Sequence, residues 1–176
     1  MKISMYTMSV ESFVPTLHAV AKMLDKAAEH AAAKKFDPTV LANARLAPDM
    51  FPLIKQVQIA CDFAKNSTGR LMGQEPPRFE DNEQTIEQLK ARVAKTLDYL
   101  QSAQASAFEG AEERAITIPI PTGGSLKFNG LQYLRDWALN NFYFHAVTAY
   151  DILRHNGVEL GKRDFLTEMQ RYMSPA

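Results

Sequence analysis

Two polar side chains interrupt an apolar and aromatic stretch of the chain, NNFYFHAVTAYDILRHNG, which covers residues 140–157. They are Asn141 and His145, which are four residues apart. Residues with this spacing share one face of an α-helix, so both side chains can point into one cavity. A neutral imidazole is a good ligand for zinc, nickel or iron, whereas an asparagine carbonyl oxygen is a weak donor. His145 is therefore the candidate metal ligand and Asn141 a candidate pocket residue.

Two other interpretations of His145 need no metal. Buried polar groups must find hydrogen-bond partners, so His145 and Asn141 can bond each other or Gln58 in a structural network. Alternatively, they can line a metal-free pocket for a small-molecule ligand. We favour the structural network, and we therefore expect a divalent metal to be absent.

Three further residues have chemistry to weigh. Arg45 could bind an anion, although a structural pairing with Asp49 or a helix C-terminus is the interpretation we favour. Tyr150 could offer its hydroxyl to a pocket, or it could pack with a hydrogen-bonded tip. Cys61 lies on the inner stripe of a predicted helix with no histidine nearby, which indicates a buried and inert thiol.

The composition limits the class of protein. Twenty basic residues balance twenty acidic ones, so the charge does not favour nucleic acid or an anionic membrane as partner. The single cysteine cannot form an intrachain disulfide, which fits a reducing cytoplasm. No apolar run reaches the ~20 residues of a membrane-spanning helix. We expect a cytoplasmic protein.

Apolar residues recur at helical spacing in four segments. The first helix is predicted over about residues 10–35 with Ser9 as its N-cap, and the second begins near Asp49. The third begins at Asp81 or Asn82, and the fourth covers about residues 130–155. The segment ITIPIPTGGSLKFNG alternates apolar and polar residues around a Gly-Gly pair, which predicts a β-hairpin between helices three and four. The predicted fold is an all-α four-helix bundle with this small hairpin, in one domain over residues 1–176.

Several long segments resemble a bacterial family of unknown function within the DinB/YfiT-like metalloenzyme superfamily. These segments are MYTMSV, ARLAPDMFPLIKQVQIACDFAK, PPRFEDNEQT and NFYFHAVTAYDILRHNGVELGKRDFL. The resemblance covers essentially the whole chain. It implies a four-helix bundle, commonly a dimer, and in better-understood relatives a divalent metal held by three histidines. Some of those relatives are transferases that use small thiols such as bacillithiol or mycothiol.

The resemblance also implies where the ligands should stand. The superfamily carries one ligand on the second helix and a His-x-x-x-His pair on the fourth, followed by a glycine about a dozen residues later. His145 precedes Gly157 by twelve residues and matches the second histidine of the pair, whereas Asn141 replaces the first. The second helix has no histidine, and Gln58 and Asp62 are the candidates near the expected place. The implied metal site is thus degenerate.

Two functions from different classes follow. The first is a metal-dependent enzyme, a transferase or hydrolase acting on a small molecule, with a modified metal site. The second is a non-catalytic small-molecule-binding or stress-associated dimeric module. A homodimer is a separate expectation, because the resemblance implies one and helix four carries more apolar positions than one bundle face needs.

Overall fold

The computed structural model describes residues 3–173, and it is mostly helical. Four long helices are present: α1 (Met5–Lys34), α3 (Leu53–Met72), α4 (Ile86–Ser102) and α6 (Leu139–His155). Three short α-helices are α2 (Thr39–Asn43), α5 (Gly130–Gln132) and α7 (Lys162–Phe165). Short 3₁₀ helices cover Ala105–Phe108, Ala111–Glu113 and Thr167–Tyr172, and a π-helix covers Tyr133–Ala138.

Helix α1 begins earlier than the sequence predicted. Its N-cap is Ser4, whose Oγ accepts a hydrogen bond from the Thr7 backbone N–H at 3.1 Å. The expected cap, Ser9, is instead buried inside the helix, where its Oγ donates to the Met5 carbonyl at 2.6 Å. A serine hydroxyl can satisfy itself on the preceding turn in this way, so a polar residue before an apolar run does not by itself define a helix start.

The starts of α3 and α4 also differ from prediction. The N-cap of α3 is Pro52 rather than Asp49. The N-cap of α4 is Thr85, which forms a capping box with Gln88, rather than Asp81 or Asn82. Asp81 is held in ion pairs with Lys55 and Arg92, so the chain before Thr85 remains a loop.

Helix α3 lies centrally and packs against α6, α4 and α1, while α1 also contacts α4 and α6. The inner faces of these helices supply the core, which includes Phe13, Leu17, Leu24, Val57, Leu89, Val93, Phe142 and Ile152. Phe13 and Phe142 meet edge to face with ring centroids 4.8 Å apart. Full burial of each large apolar side chain contributes about 1.5–3 kcal/mol, so this core is the main stabilising element.

The predicted hairpin is confirmed. Strands β1 (Ile116–Pro119) and β2 (Ser125–Phe128) pair antiparallel, with Ile116 opposite Phe128. Gly123 and Gly124 both have positive φ, at 100° and 91°, which the connecting turn requires and other residues rarely adopt. Phe128 packs against Tyr133, which joins the hairpin to the helical core.

The predicted fourth helix is divided. Asn129 caps α5, and the chain then passes through the π-helix before α6 begins at Leu139. The wider π turn is not visible in the apolar periodicity, because helical side-chain spacing continues on both sides of it.

Within residues 3–173, no helix has both the length and the apolar character needed to cross a bilayer.

Candidate functional site at His145

His145 lies on α6 where this helix packs against α3. Its side chain is nearly buried, with 9% of the residue exposed. The Phe63 ring, from α3, stacks parallel to the imidazole at 6.2 Å between centroids, and the Phe144 ring meets it edge-on at 5.2 Å. The imidazole therefore contacts two aromatic rings, which restrict its orientation.

A short hydrogen bond fixes the imidazole further. His145 Nδ1 lies 2.7 Å from Oε1 of Gln56, and Nε2 of Gln56 donates to the Phe51 carbonyl at 3.0 Å. The Phe51 carbonyl can only accept, so the Gln56 amide nitrogen must face it and the Gln56 oxygen must face His145. His145 Nδ1 therefore carries the proton and donates.

The protonated Nδ1 determines the chemistry of the other ring nitrogen. Burial lowers the pKa of His145, so the imidazole is neutral at pH 7. In this tautomer Nε2 has a free lone pair. Among the described residues, Nε2 forms no hydrogen bond. The site thus has one oriented acceptor nitrogen on an imidazole that contacts aromatic rings.

Asn141 does not join this site by a hydrogen bond. Its side chain is half-buried, and Nδ2 donates to the Trp137 carbonyl one turn earlier at 2.8 Å. Trp137 belongs to the π-helix and packs against Phe63 at 6.3 Å between ring centroids. The expected bond between Asn141 and His145 is therefore replaced by a bond inside the helix.

Gln58 and Asp62 belong to a different cluster, on the side of α3 that faces α4. Gln58 Nε2 donates to Glu83 Oε2 at 2.8 Å, and Asp62 Oδ1 lies 2.9 Å from Nη2 of Arg92. Gln56 rather than Gln58 bonds His145, because two residues along a helix correspond to roughly 200° of rotation. The sequence analysis therefore predicted a glutamine partner from α3 correctly but chose Gln58, which lies on the face toward α4.

Arg45 and Tyr150 have structural contacts of their own. Arg45 is exposed, and its Nη1 lies 3.5 Å from the Pro48 carbonyl and 3.4 Å from the Met50 carbonyl, in place of the expected pairing with Asp49 or a helix C-terminus. Tyr150 is half-buried and meets Phe165 of α7 edge-on at 6.2 Å.

The sequence analysis missed a buried ionic cluster centred on Arg92, whose side chain is 1% exposed. Arg92 binds Glu83 at 3.0 Å, Asp62 at 2.9 Å and Asp81 at 3.0 Å, and it also donates to the Glu80 carbonyl. Lys65 adds a second cation at 3.2 Å from Asp62. We call Arg92, Asp62, Asp81, Glu83 and Lys65 the Arg92 cluster. The sequence contained an indication of this burial, because Arg92 follows Leu89 by three residues and so lies on the apolar stripe of α4.

Comparison with known proteins places these features in a family. A family model described as a domain of unknown function, DUF1993, matches residues 5–166. The chain belongs to the DUF1993 family. The crystal structure of a DinB family member protein from Shewanella denitrificans is 42% identical and superposes with a TM-score of 0.88, covering 97% of this chain and 95% of that one. The DUF1993 chain is therefore a member of a DinB-like family of unknown function. No curated protein matches it.

The donor set of this DUF1993 chain does not fit the three-histidine metal site that the resemblance implies. Among the described residues, no group of three or more His, Cys, Asp or Glu side chains could hold a metal ion. The oxygen of Gln56 is occupied by His145, and Asp62 is neutralised by Arg92 and Lys65. One imidazole nitrogen remains, which is too few donors for a stable zinc site.

Proposed function

We propose that this DUF1993 chain is a metal-independent, non-catalytic binding module that takes a small molecule at His145 and works as a homodimer. The Gln56–His145 hydrogen bond carries the proposal. It occupies the Gln56 oxygen, which is then not available to a metal, and it fixes Nε2 of His145 as a hydrogen-bond acceptor. A buried neutral acceptor suits a ligand with an O–H or N–H group.

The surroundings of His145 support a ligand with an aromatic or apolar body. Phe63 and Phe144 flank the imidazole, and Trp137 extends the aromatic surface beyond Phe63. Aromatic pairs gain about 0.5–1.5 kcal/mol beyond their buried area when a ring packs edge-on or offset against them. A phenol-like group would use both features at once.

The exposed side of α6 supports the dimer. Phe144 is 60% exposed and Val147 is 41% exposed, although both are large and apolar. Such neighbouring apolar residues mark interaction surfaces. A second copy packed on this side would cover Phe144 and close the surface next to His145. In the same proposal the four long helices form the four-helix bundle of DinB-like proteins, with α3 in contact with the other three.

The metal question is tested by elemental analysis of the purified, untagged protein after dialysis with zinc, nickel or manganese. We expect far less than one metal per chain. Nitrogen-15 NMR of the imidazole at pH 7.5 should show the proton on Nδ1. About one retained metal per chain, lost in His145→Ala, would overturn the metal-independent site.

The ligand site is tested by titration with phenol, while the Nε2 resonance of His145 is followed by NMR. Anisole, which keeps the ring but lacks the donor hydrogen, is the matched control. We expect phenol to shift this resonance saturably and anisole to leave it nearly unchanged. Equal shifts from both compounds would contradict an acceptor role for Nε2.

The dimer is tested by light scattering. We expect a mass of twice the 19.8 kDa chain, and Val147→Glu should reduce it to that of one chain. Val40 on α2 is 59% exposed, so Val40→Glu is a matched control that should remain dimeric. A wild-type monomer at micromolar concentration would refute this part of the proposal.

A further inference from the structure

A cleft that shares no lining residue with the His145 site lies where the C-terminus of α3 meets the start of β1. Its volume is about 440 Å³. Two arginines line it, Arg70 from the last turn of α3 and Arg114 from the segment before β1, together with Gly73, Glu75 and Thr117. A volume of this size is in the range of small-molecule sites.

The charges of these two arginines are not compensated by protein carboxylates. Among the arginines whose side chains the structure describes, Arg92 and Arg135 form ion pairs, whereas Arg70 and Arg114 form none. Arg45, Arg78, Arg154 and Arg163 also lack an ion pair, but they are exposed to water. Arg70 and Arg114 are half-buried, so their missing counter-charge is unusual.

Arg70 is held in place by a neutral group. Its Nη1 donates to the hydroxyl of Tyr133 at 3.1 Å, and the same hydroxyl lies 3.0 Å from Oγ of Ser67. Tyr133 is fully buried and packs against Phe128 of the hairpin. The guanidinium is therefore oriented before any ligand arrives, yet its positive charge is left free.

Arg114 has a donor that the described residues leave unused. Its Nε is buried and has no hydrogen-bond partner among the described residues. The guanidinium lies against the backbone of Gly73, the C-cap of α3, where any Cβ would overlap Nη1. A buried donor without an acceptor destabilises the folded protein, and a ligand oxygen that accepted its hydrogen would remove this penalty.

We propose that this cleft binds the phosphate group of a small phosphorylated molecule. A guanidinium offers two parallel N–H donors that match two oxygens of one group. Two guanidinium groups that each bind two oxygens need more oxygens than the two of a carboxylate, whereas a phosphate group has enough for both arginines. The opposing charges are the exposed Glu75 and the C-terminal dipole of α3, roughly half an elementary charge. The two positive charges of Arg70 and Arg114 outweigh the combined negative charge of Glu75 and the helix C-terminus. Because a phosphate fills only part of the volume, the cleft leaves room for the group that carries it.

The experiment is calorimetric titration with sodium phosphate at pH 7, at ionic strength held constant with sodium chloride. We expect saturable binding of one phosphate per chain. Arg114→Gln should weaken it about tenfold, because one charge-assisted fork is lost. Arg114→Lys keeps the positive charge but loses the paired N–H donors, so its affinity for phosphate should lie between those of the wild type and Arg114→Gln. Arg78→Gln, an exposed arginine that lines another cleft, should bind like the wild type.

Arg114 is the decisive position, because it makes no hydrogen bond or ion pair within the described residues and its loss leaves no protein group unsatisfied. An unchanged melting temperature for Arg114→Gln without phosphate would confirm that folding is intact. In the wild type, the Nε–H signal of Arg114 should also move during the titration. Absence of saturation, an equal loss in Arg78→Gln, or acetate binding as tightly as phosphate would each overturn the proposal.

Discussion

Helix α3 carries two polar contacts on different sides, and they are built in opposite ways. Toward α6, Gln56 and His145 form a neutral pair with one ring nitrogen left free. Toward α4, the Arg92 cluster holds charged groups that form ion pairs with one another, and Nε of Arg92 has no partner among the described residues. Both contacts interrupt the apolar packing of the same helix.

The difference shows which contact can serve a ligand. A buried charge is tolerated only while its counter-charges remain, so the Arg92 cluster is a structural unit with little freedom to exchange partners. A neutral pair costs less to bury and can leave an atom available. The side of α3 that carries the neutral Gln56–His145 pair is therefore the candidate site, although the other side holds more ionisable groups and an unpaired acceptor of its own, Oε1 of Gln58.

Removal of Arg92 should have the largest effect. Arg92→Leu leaves the largely buried Glu83 without an ion-pair partner. Asp62 and Asp81, in contrast, are partly exposed and keep Lys65 and Lys55. We therefore expect a loss of about 3 kcal/mol, the lower end of the range for a broken buried pair. Urea unfolding followed by circular dichroism measures this free energy. The control is Arg135→Leu, whose ion pair with Asp136 is exposed and whose loss should leave the midpoint unchanged. Equal losses of unfolding free energy in Arg92→Leu and Arg135→Leu would contradict a special structural role for the Arg92 cluster.

Loss of the His145 imidazole should cost less. His145→Leu leaves Oε1 of Gln56 without its donor, which should lower the free energy of unfolding by about 1–3 kcal/mol. The double variant Gln56→Leu/His145→Leu should recover part of this loss, because both polar partners are then absent. A double-mutant cycle measures the coupling. Purely additive losses would mean that the Gln56–His145 bond contributes no stability.

The two contacts should also respond to different pH ranges. Burial lowers the pKa of His145 in the folded protein. The contribution of neutral His145 to the free energy of unfolding is therefore fully present above the pKa of the unfolded state, about 6.5, and is lost as the pH falls toward the lower pKa of the folded state. For Asp81, burial raises the pKa, but the hydrogen bond from Lys55 and the charge of Arg92 outweigh it and the pKa is lowered. That contribution is present above about pH 4 and is lost on further acidification.

Unfolding measured between pH 8 and pH 3 should therefore show two stages in the wild type. In His145→Leu, the decrease in the free energy of unfolding that begins near pH 6.5 should disappear, and the decrease below about pH 4 should remain. If the first stage persists in His145→Leu, another group causes it.

The smallest effect is expected at Asn141. Its amide bonds only the preceding turn of its own helix, so Asn141→Leu should change the free energy of unfolding by no more than about 0.5 kcal/mol. The imidazole NMR signals of His145 should keep their positions. A loss comparable to that of His145→Leu would place Asn141 in the same contact.

The sequence predicted the long helices and the hairpin because their signals are local. Apolar spacing defines α1, α3 and α4, and the Gly123–Gly124 pair defines the turn. The site could be predicted only in part. His145 was identified as a buried polar residue, but its partner depends on how α3 is rotated against α6, which no local pattern contains. Arg70 and Arg114 were missed for a related reason, since they are 44 positions apart in sequence and share a cleft only through the fold.

The burial of Cys61 has a practical consequence for labelling. It is the single cysteine of the chain, it is fully buried, and burial raises the pKa of its thiol to about 12. A maleimide reacts with accessible thiolate, so the folded protein offers it almost none. A fluorophore can then be attached to one cysteine introduced at an exposed position such as Val40, without first removing the native one.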